Sequence, residues 1–208
     1  MPPALPSPRT LLTVAWMAIL LGIAVETALL VVSMSMGKDA AAPAILAETA
    51  NKVSWSFFVC VGVTLGMGSL RVRPAAMGLM GVVSAPVAFT IAKAVHKSVA
   101  QALGAAGAPP SIPGPIEMAT LRALEYGLLG GLVGWVSRQV WSGFKVHAGL
   151  GLLMGLFAAA FVTMRSVSAG ANVLTLVVKG LNEVLFPLGC AIVLYAAAAL
   201  GRRATPPS

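Results

Sequence analysis

Six long apolar stretches are the feature that most constrains this 208-residue chain. A helix needs about 20 mostly apolar residues to cross the hydrocarbon layer of a membrane. The stretches that meet this requirement cover residues 11–36, 53–70, 75–95, 118–136, 147–167 and 173–200. We therefore predict an all-α, polytopic integral membrane protein in which residues 1–208 form a single bundle of about six transmembrane helices.

Composition supports this prediction. The chain is 58% hydrophobic and only 10% charged, whereas soluble domains carry about 25% charged residues. A chain with so few charges could not cover a soluble core. The first apolar stretch follows Arg9 and resembles a signal peptide, but it continues beyond the 7–15 or so residues of a signal core and no small-residue cleavage site follows. We expect it to remain as a helix.

The distribution of charge predicts that both termini are cytoplasmic. In that orientation the cytoplasmic segments contain no acidic residue, and their cations are Arg9, Arg71, Arg73, Arg138, Lys145, Arg202 and Arg203. Basic residues are retained on the cytoplasmic side of membranes. The net charge of +8 is thus interpreted as a topology signal, and no nucleic-acid partner is expected. The Ala-, Gly- and Arg-rich composition favours a bacterial inner membrane.

Small residues four positions apart indicate where helices approach one another closely. Such pairs occur at Gly62/Gly66, Gly127/Gly131, Gly130/Gly134 and Gly151/Gly155. The second, fourth and fifth spans are therefore predicted to lie centrally or at a subunit interface.

Ionisable side chains inside the spans are costly in hydrocarbon and mark candidate sites. Glu26 lies near the middle of the first span, with no basic residue within one helical turn. It is either a carboxylate that binds an ion or proton, or a structural acid that is hydrogen-bonded or neutral.

The fourth and sixth spans each contain a cation and a carboxylate at helical spacing, namely Arg122 with Glu125 and Lys179 with Glu183. One interpretation is that each pair neutralises itself on one helix face. The other is an outer vestibule of four cations that attracts an anion or a lipid headgroup, with carboxylates beneath that relay a proton. The vestibule hypothesis gives the candidate ion- or substrate-binding residues as Glu26, Lys93, Arg122, Glu125, Arg165, Lys179, Asn182 and Glu183.

Two features of the vestibule have simpler explanations. The presence of Lys93 and Arg165 in the spans would also be explained if their long side chains extend to the membrane surface. Asn182 and Pro187 either loosen the sixth helix near Glu183, as in transporters with broken helices, or Pro187 merely kinks it.

A weak internal repeat relates residues 71–81 to residues 145–155, so that spans two and three resemble spans four and five. Duplication of a hairpin and coincidence of composition both explain it.

Enzyme motifs are absent from the sequence. It has no H-E-x-x-H, P-loop, G-x-S-x-G or cysteine cluster. Cys60 and Cys190 lie in apolar runs as small core residues do, and His96 and His147 fall on opposite sides of the predicted membrane. We expect no catalytic residue, no metal site and no cofactor.

Two functions fit these observations. The first is a small channel or transporter for an ion or small anionic solute. The alternative is a non-catalytic integral subunit that packs within a larger membrane complex. Either would lie in the lipid bilayer, as a homo-oligomer or with other membrane subunits. Transport is favoured, because an accessory subunit has less need of ionisable groups at depth.

Overall fold

A computed structural model describes residues 6–38, 41–68, 73–104 and 114–203, with side chains to residue 199. Its helices are α1 (Pro8–Ser35), α2 (Ala42–Leu65), α3 (Arg73–Ala102), α4 (Pro115–Val136), α5 (Phe144–Ser168) and α6 (Val173–Arg203). A short 3-10 turn, Gly66–Gly68, follows α2. These residues contain no strand, and the predicted all-α fold is confirmed for this part of the chain.

The helices begin where local sequence favours a helix start. Ser7 precedes α1, and its side-chain oxygen accepts a hydrogen bond from the Thr10 backbone N–H at 3.2 Å, which satisfies a donor that the helix itself leaves free. Proline occupies the first turn of α1, α2 and α4, where its missing N–H costs nothing. Most of the Gly104–Pro115 connection, residues 105–113, lies outside the described part.

The start of α2 differs most from prediction. The sequence predicts a second span at residues 53–70, whereas α2 begins at Ala42. The sequence before residue 53 contains Glu48, Asn51 and Lys52, and these polar groups interrupt the apolar run without interrupting the helix. These three side chains line an internal pocket. The helix can therefore contain polar residues that face the interior of the bundle.

Four helices are long and apolar enough to cross a membrane: α1, α3, α5 and α6 up to Ala199. Elsewhere in the described ranges, α2 and α4 fall short because each carries charged residues. The outward surface is also apolar, since large side chains such as Leu20, Leu79 and Phe157 are more than 60% exposed. Soluble monomers rarely expose contiguous apolar surface on this scale. These features indicate a membrane-embedded protein.

Consecutive helices pack side by side, and α6 returns to pack against α1, so the six form a closed ring. In addition, α2, α4 and α6 touch one another across the middle. The even-numbered helices therefore line the interior. Between residues 178 and 199 of α6, every side chain is buried or half-buried. The glycine pattern predicted spans two, four and five as central, but α6 takes the place of α5.

The glycine pairs explain this difference. A β-carbon added at Gly151 of α5 would lie 2.6 Å from the Pro187 carbonyl oxygen of α6, so α5 packs against one face of α6 and keeps its other faces outside. Gly130 of α4 contacts the Met77 carbonyl of α3 in the same way. The small-residue faces thus join helices within this chain.

The end of the bundle at which α1 begins and α6 ends, with the 137–143 connection between α4 and α5, is called the proximal end. The opposite end, at which α1, α3 and α5 end and α2, α4 and α6 begin, is called the distal end.

Candidate functional site

A pocket of about 410 Å³ opens among the distal halves of all six helices. This volume is within the range of small-molecule sites. Its lining comprises Leu29, Glu48, Asn51, Lys52, Trp55, Phe89, Ala92, Lys93, Met118, Arg122, Val162, Thr175, Val178, Lys179, Asn182, Glu183 and Phe186. The wall therefore combines apolar and aromatic side chains with four cations and two carboxylates, so the charged groups leave an excess of positive charge.

Arg122 lies at the floor of the pocket between two carboxylates. Its Nη1 donates to Glu125 Oε2 at 2.6 Å, and its Nη2 donates to Glu183 Oε1 at 2.6 Å. Nη1 is also 2.6 Å from Glu183 Oε2, so Glu183 faces the guanidinium with both oxygens. All three residues are at most 6% exposed. We call these three residues the floor cluster.

Trp55 of α2 completes the floor. The Arg122 guanidinium carbon lies 5.3 Å from the centre of the Trp55 ring, a distance at which the face of an indole attracts a cation. Trp55 also packs edge-on against Tyr126 with 5.5 Å between ring centres. The three even-numbered helices therefore meet at Arg122. Their contacts hold the Arg122 side chain in a fixed orientation.

A second charged group surrounds the pocket mouth. Glu48 lies 3.7 Å from the Lys52 ammonium and 3.2 Å from His96 Nε2. Lys93 lies 5.7 Å above the Phe89 ring, and Lys179 donates to Ser166 Oγ at 3.3 Å. The less buried part of the pocket, which we call the mouth, thus presents ammonium groups on three helices.

Five of the eight sequence-derived candidates line the pocket: Lys93, Arg122, Lys179, Asn182 and Glu183. Glu125 is not part of the lining, but it accepts a hydrogen bond from Arg122, which is. Arg165 lies elsewhere, half-exposed and paired with Glu117 at 2.9 Å. Glu26 is half-buried on α1 outside the lining, and the charges nearest to it belong to Lys52 and Glu48.

The expected self-pairing holds for one helix. Arg122 and Glu125 do pair within α4. Glu183 pairs with Arg122 across the interior, in place of Lys179 on its own helix. A guanidinium offers several donors in a planar fork that matches a carboxylate, which an ammonium cannot do.

Sequence reasoning missed the contribution of α2, namely Glu48, Asn51, Lys52 and Trp55. The signal was present, because Glu48 and Lys52 are one turn apart and Trp55 follows another turn later on almost the same face. The polar character of this segment led to its assignment as a connection.

Several buried polar atoms at the floor accept or donate no hydrogen bond within the described residues, among them Glu125 Oε1, the Tyr126 hydroxyl and Asn182 Oδ1. Unsatisfied buried polar groups are uncommon and often mark sites of function. In the same ranges, no three His, Cys, Asp or Glu side chains are grouped so as to hold a metal ion. Apart from the Tyr126 hydroxyl these unpaired atoms are acceptors, so they are suited to a hydrogen-bond donor or a proton beside the guanidinium.

No family model, curated protein or solved structure matches this chain. The chemistry of the pocket is therefore argued from its own geometry.

Proposed function

We propose that this protein is a small channel or transporter that admits a small anionic solute to the distal pocket. In this proposal all six helices cross a bacterial inner membrane, both termini are cytoplasmic, and the distal pocket opens to the opposite side. One observation carries the proposal: a pocket with an excess of positive charge leads from the mouth to a buried guanidinium.

The depth of Arg122 supports transport over surface binding. Arg122 follows the start of α4 at Pro115 by seven residues, which at 1.5 Å per residue places it about 10 Å below the distal end of that helix. Glu183 lies ten residues into α6, or about 15 Å. Charged groups at such depths are expensive and are typical of solute or ion pathways.

The packing of the glycines bears on the alternative, a non-catalytic subunit. That hypothesis drew on Gly-rich faces that would pack against partner proteins. In the structure, the glycine pairs of α2 and α4 contact α3, and those of α5 contact α6. These faces are occupied within the chain, and lipid suffices to cover the remaining apolar surface. This observation favours the transport proposal.

The test is solute flux in proteoliposomes with a panel of chloride, phosphate, acetate and benzoate. We expect flux of at least one of these anions. Lys93→Gln removes a charge from the pocket mouth and should reduce anion uptake at subsaturating concentration by about tenfold, the equivalent of about 1.4 kcal/mol.

Lys97→Gln is the matched control. Lys97 lies one turn further along α3, carries the same charge, is exposed and does not line the pocket. Its flux should stay close to that of the unmodified protein. Flux of the whole panel no greater than in protein-free vesicles, or equal losses in the two variants, would contradict the proposal.

A further inference from the structure

The floor cluster has more acid than base. One guanidinium contacts two carboxylates, and all three groups are almost completely buried. An uncompensated charge in a dry interior costs several kcal/mol in order of magnitude. An anion that reaches Arg122 adds one more negative charge to this group. Binding therefore requires a compensating positive charge, and a proton is the smallest that a buried carboxylate can accept.

Geometry indicates which carboxylate accepts it. Glu183 lines the distal pocket together with Arg122 and contacts both Nη2 and Nη1 of the guanidinium. Glu125 faces a separate apolar gap between α4 and α5. A solute entering from the mouth therefore competes with Glu183 for the guanidinium, whereas Glu125 keeps its bond to Nη1. Protonation of Glu183 removes the charge that binds it to Arg122.

The helices around Glu183 carry other ionisable groups. An experiment that varies pH must distinguish protonation of these groups from protonation of Glu183. They are Glu26 on α1, Glu48, Lys52 and Cys60 on α2, Lys93 and His96 on α3, Arg122, Glu125 and Tyr126 on α4, and Lys179 and Cys190 on α6. From α5 the neighbouring polar group is the Ser166 hydroxyl, which does not titrate. Among these, His96 lies at the mouth beside Glu48.

We propose that an organic anion binds at Arg122 together with one proton, and that the proton is taken up by Glu183. Charge balances: the anion contributes one negative charge and the proton one positive charge, so the floor cluster with its bound anion has the same total charge as the empty floor cluster. The apolar and aromatic walls, including Phe89 and Phe186, suit an anion with an apolar body, such as an aromatic carboxylate. This inference rests on the proposed function, because it assumes an anion in the distal pocket.

The experiment measures benzoate binding to the full chain in nanodiscs by calorimetry over about two pH units around neutrality, where benzoate stays ionised. With one linked proton, affinity should fall by about tenfold for each pH unit of increase. A pH-indicator dye in weak buffer should report one proton taken up per benzoate bound. In Glu183→Gln the affinity should be independent of pH and, at the alkaline end, higher than in the unmodified protein.

Glu117→Gln serves as the control, because it neutralises a carboxylate on α4 that pairs with Arg165 outside the pocket. It should keep the pH slope. A slope that persists in Glu183→Gln would place the proton on another group and overturn the inference. So would a flat profile in the unmodified protein, an absence of proton uptake, or no benzoate binding by either protein at any pH. The dye measurement needs no variant, so it decides the matter even if Glu183→Gln does not fold.

The binding measurement uses no gradient and is separate from flux. Anion flux without proton linkage would refute this inference and leave the proposed function intact. Proton-linked binding without flux in proteoliposomes would refute the proposed function.

Discussion

Arg122 shows how one side chain can connect three helices in a bundle whose core is otherwise small and apolar. It holds Glu125 of its own helix, Glu183 of α6 and the ring of Trp55 on α2. Replacing a whole buried ion cluster with apolar residues can be harmless to stability, but removing a single member leaves an uncompensated charge. The cluster is therefore most sensitive to loss of its cation.

We predict that Arg122→Met destabilises the protein strongly. Two carboxylates would remain buried at one site without a cation, and such a change typically costs about 3–5 kcal/mol. The measurement is thermal unfolding in a single detergent, with a fall in Tm of many degrees expected. Arg165→Met is the comparison, because Arg165 is half-exposed and its pair with Glu117 should contribute about 1 kcal/mol or less. Equal Tm values for the two variants would show that the floor cluster has no structural role.

At the residue scale, sequence spacing was sufficient to predict a contact within a helix but insufficient to predict a contact between helices. The interval of three residues predicted the pair of Arg122 and Glu125. The pair of Arg122 and Glu183 depends on which face of α6 meets α4, and no local interval contains that information. Of the cations in the vestibule hypothesis, Lys93 and Lys179 line the pocket together with Arg122. Arg165 failed to join because depth along a helix does not fix its rotation.

At the level of elements, two hairpins are built alike. In the α3–α4 pair, Gly81 contacts the backbone of Tyr126, which follows Glu125. In the α5–α6 pair, a β-carbon at Gly155 would lie 2.7 Å from the α-carbon of Val184, which follows Glu183. Each glycine thus fits against the backbone just after a floor-cluster carboxylate. The sequence comparison paired spans two and three with spans four and five, and it also matched the start of span four (Arg122 to Glu125) with that of span six (Lys179 to Glu183). The contacts relate α3–α4 to α5–α6.

Neighbouring glycines of α4 should respond differently to substitution. A β-carbon at Gly130 would be too close to the Met77 carbonyl, whereas one at Gly131 would lie 3.7 Å from its nearest neighbour, the Pro74 carbonyl oxygen, which is an ordinary contact. Gly130→Ala should therefore cost about 1–3 kcal/mol through overpacking. Gly131→Ala should be neutral or stabilising by up to about 1 kcal/mol, because alanine favours a helix more than glycine does. Thermal unfolding of the two variants is the measurement, and a larger loss for Gly131→Ala would contradict this packing.

Helix number and approximate extent followed from hydropathy, because a length of apolar sequence is a local property. The exception was the beginning of α2, where the polar residues that line the pocket gave the sequence the polarity of a loop between helices. Hydropathy measures average polarity and cannot distinguish a polar residue that faces an internal pocket from one that faces water. The sequence pattern therefore failed at the element that contributes Lys52 and Trp55.

At the scale of the whole molecule, the proposed topology can be tested by labelling with a membrane-impermeant maleimide. In a background with Cys60 and Cys190 replaced by alanine, single cysteines are introduced as Ala169→Cys at the distal end and Val140→Cys at the proximal end. Both positions are exposed. We expect intact cells with a permeable outer membrane to label the distal cysteine and to leave the proximal one unlabelled until the inner membrane is opened. The reverse pattern would place the termini on the outside.

The closed ring with α2, α4 and α6 inside was not predictable from this chain. In a soluble bundle, polar residues mark the outer face of each helix. Here both lipid-facing and buried faces are apolar, so this contrast is missing. Residue size is the remaining guide, since glycine and alanine face neighbours and leucine or phenylalanine face outward. That guide identified the packed faces of α5 but could not show that its partner α6 lies at the centre.

The enclosed position of α6 has a consequence for biosynthesis. Among the six helices it is made last, yet between residues 178 and 199 it has no strongly exposed side chain. Earlier helices must therefore remain apart, or separate briefly, until α6 leaves the translocation machinery and enters between them. Until then the guanidinium of Arg122 has only one of its two acidic partners, and the arrival of Glu183 completes both the interior and the floor of the pocket in one step.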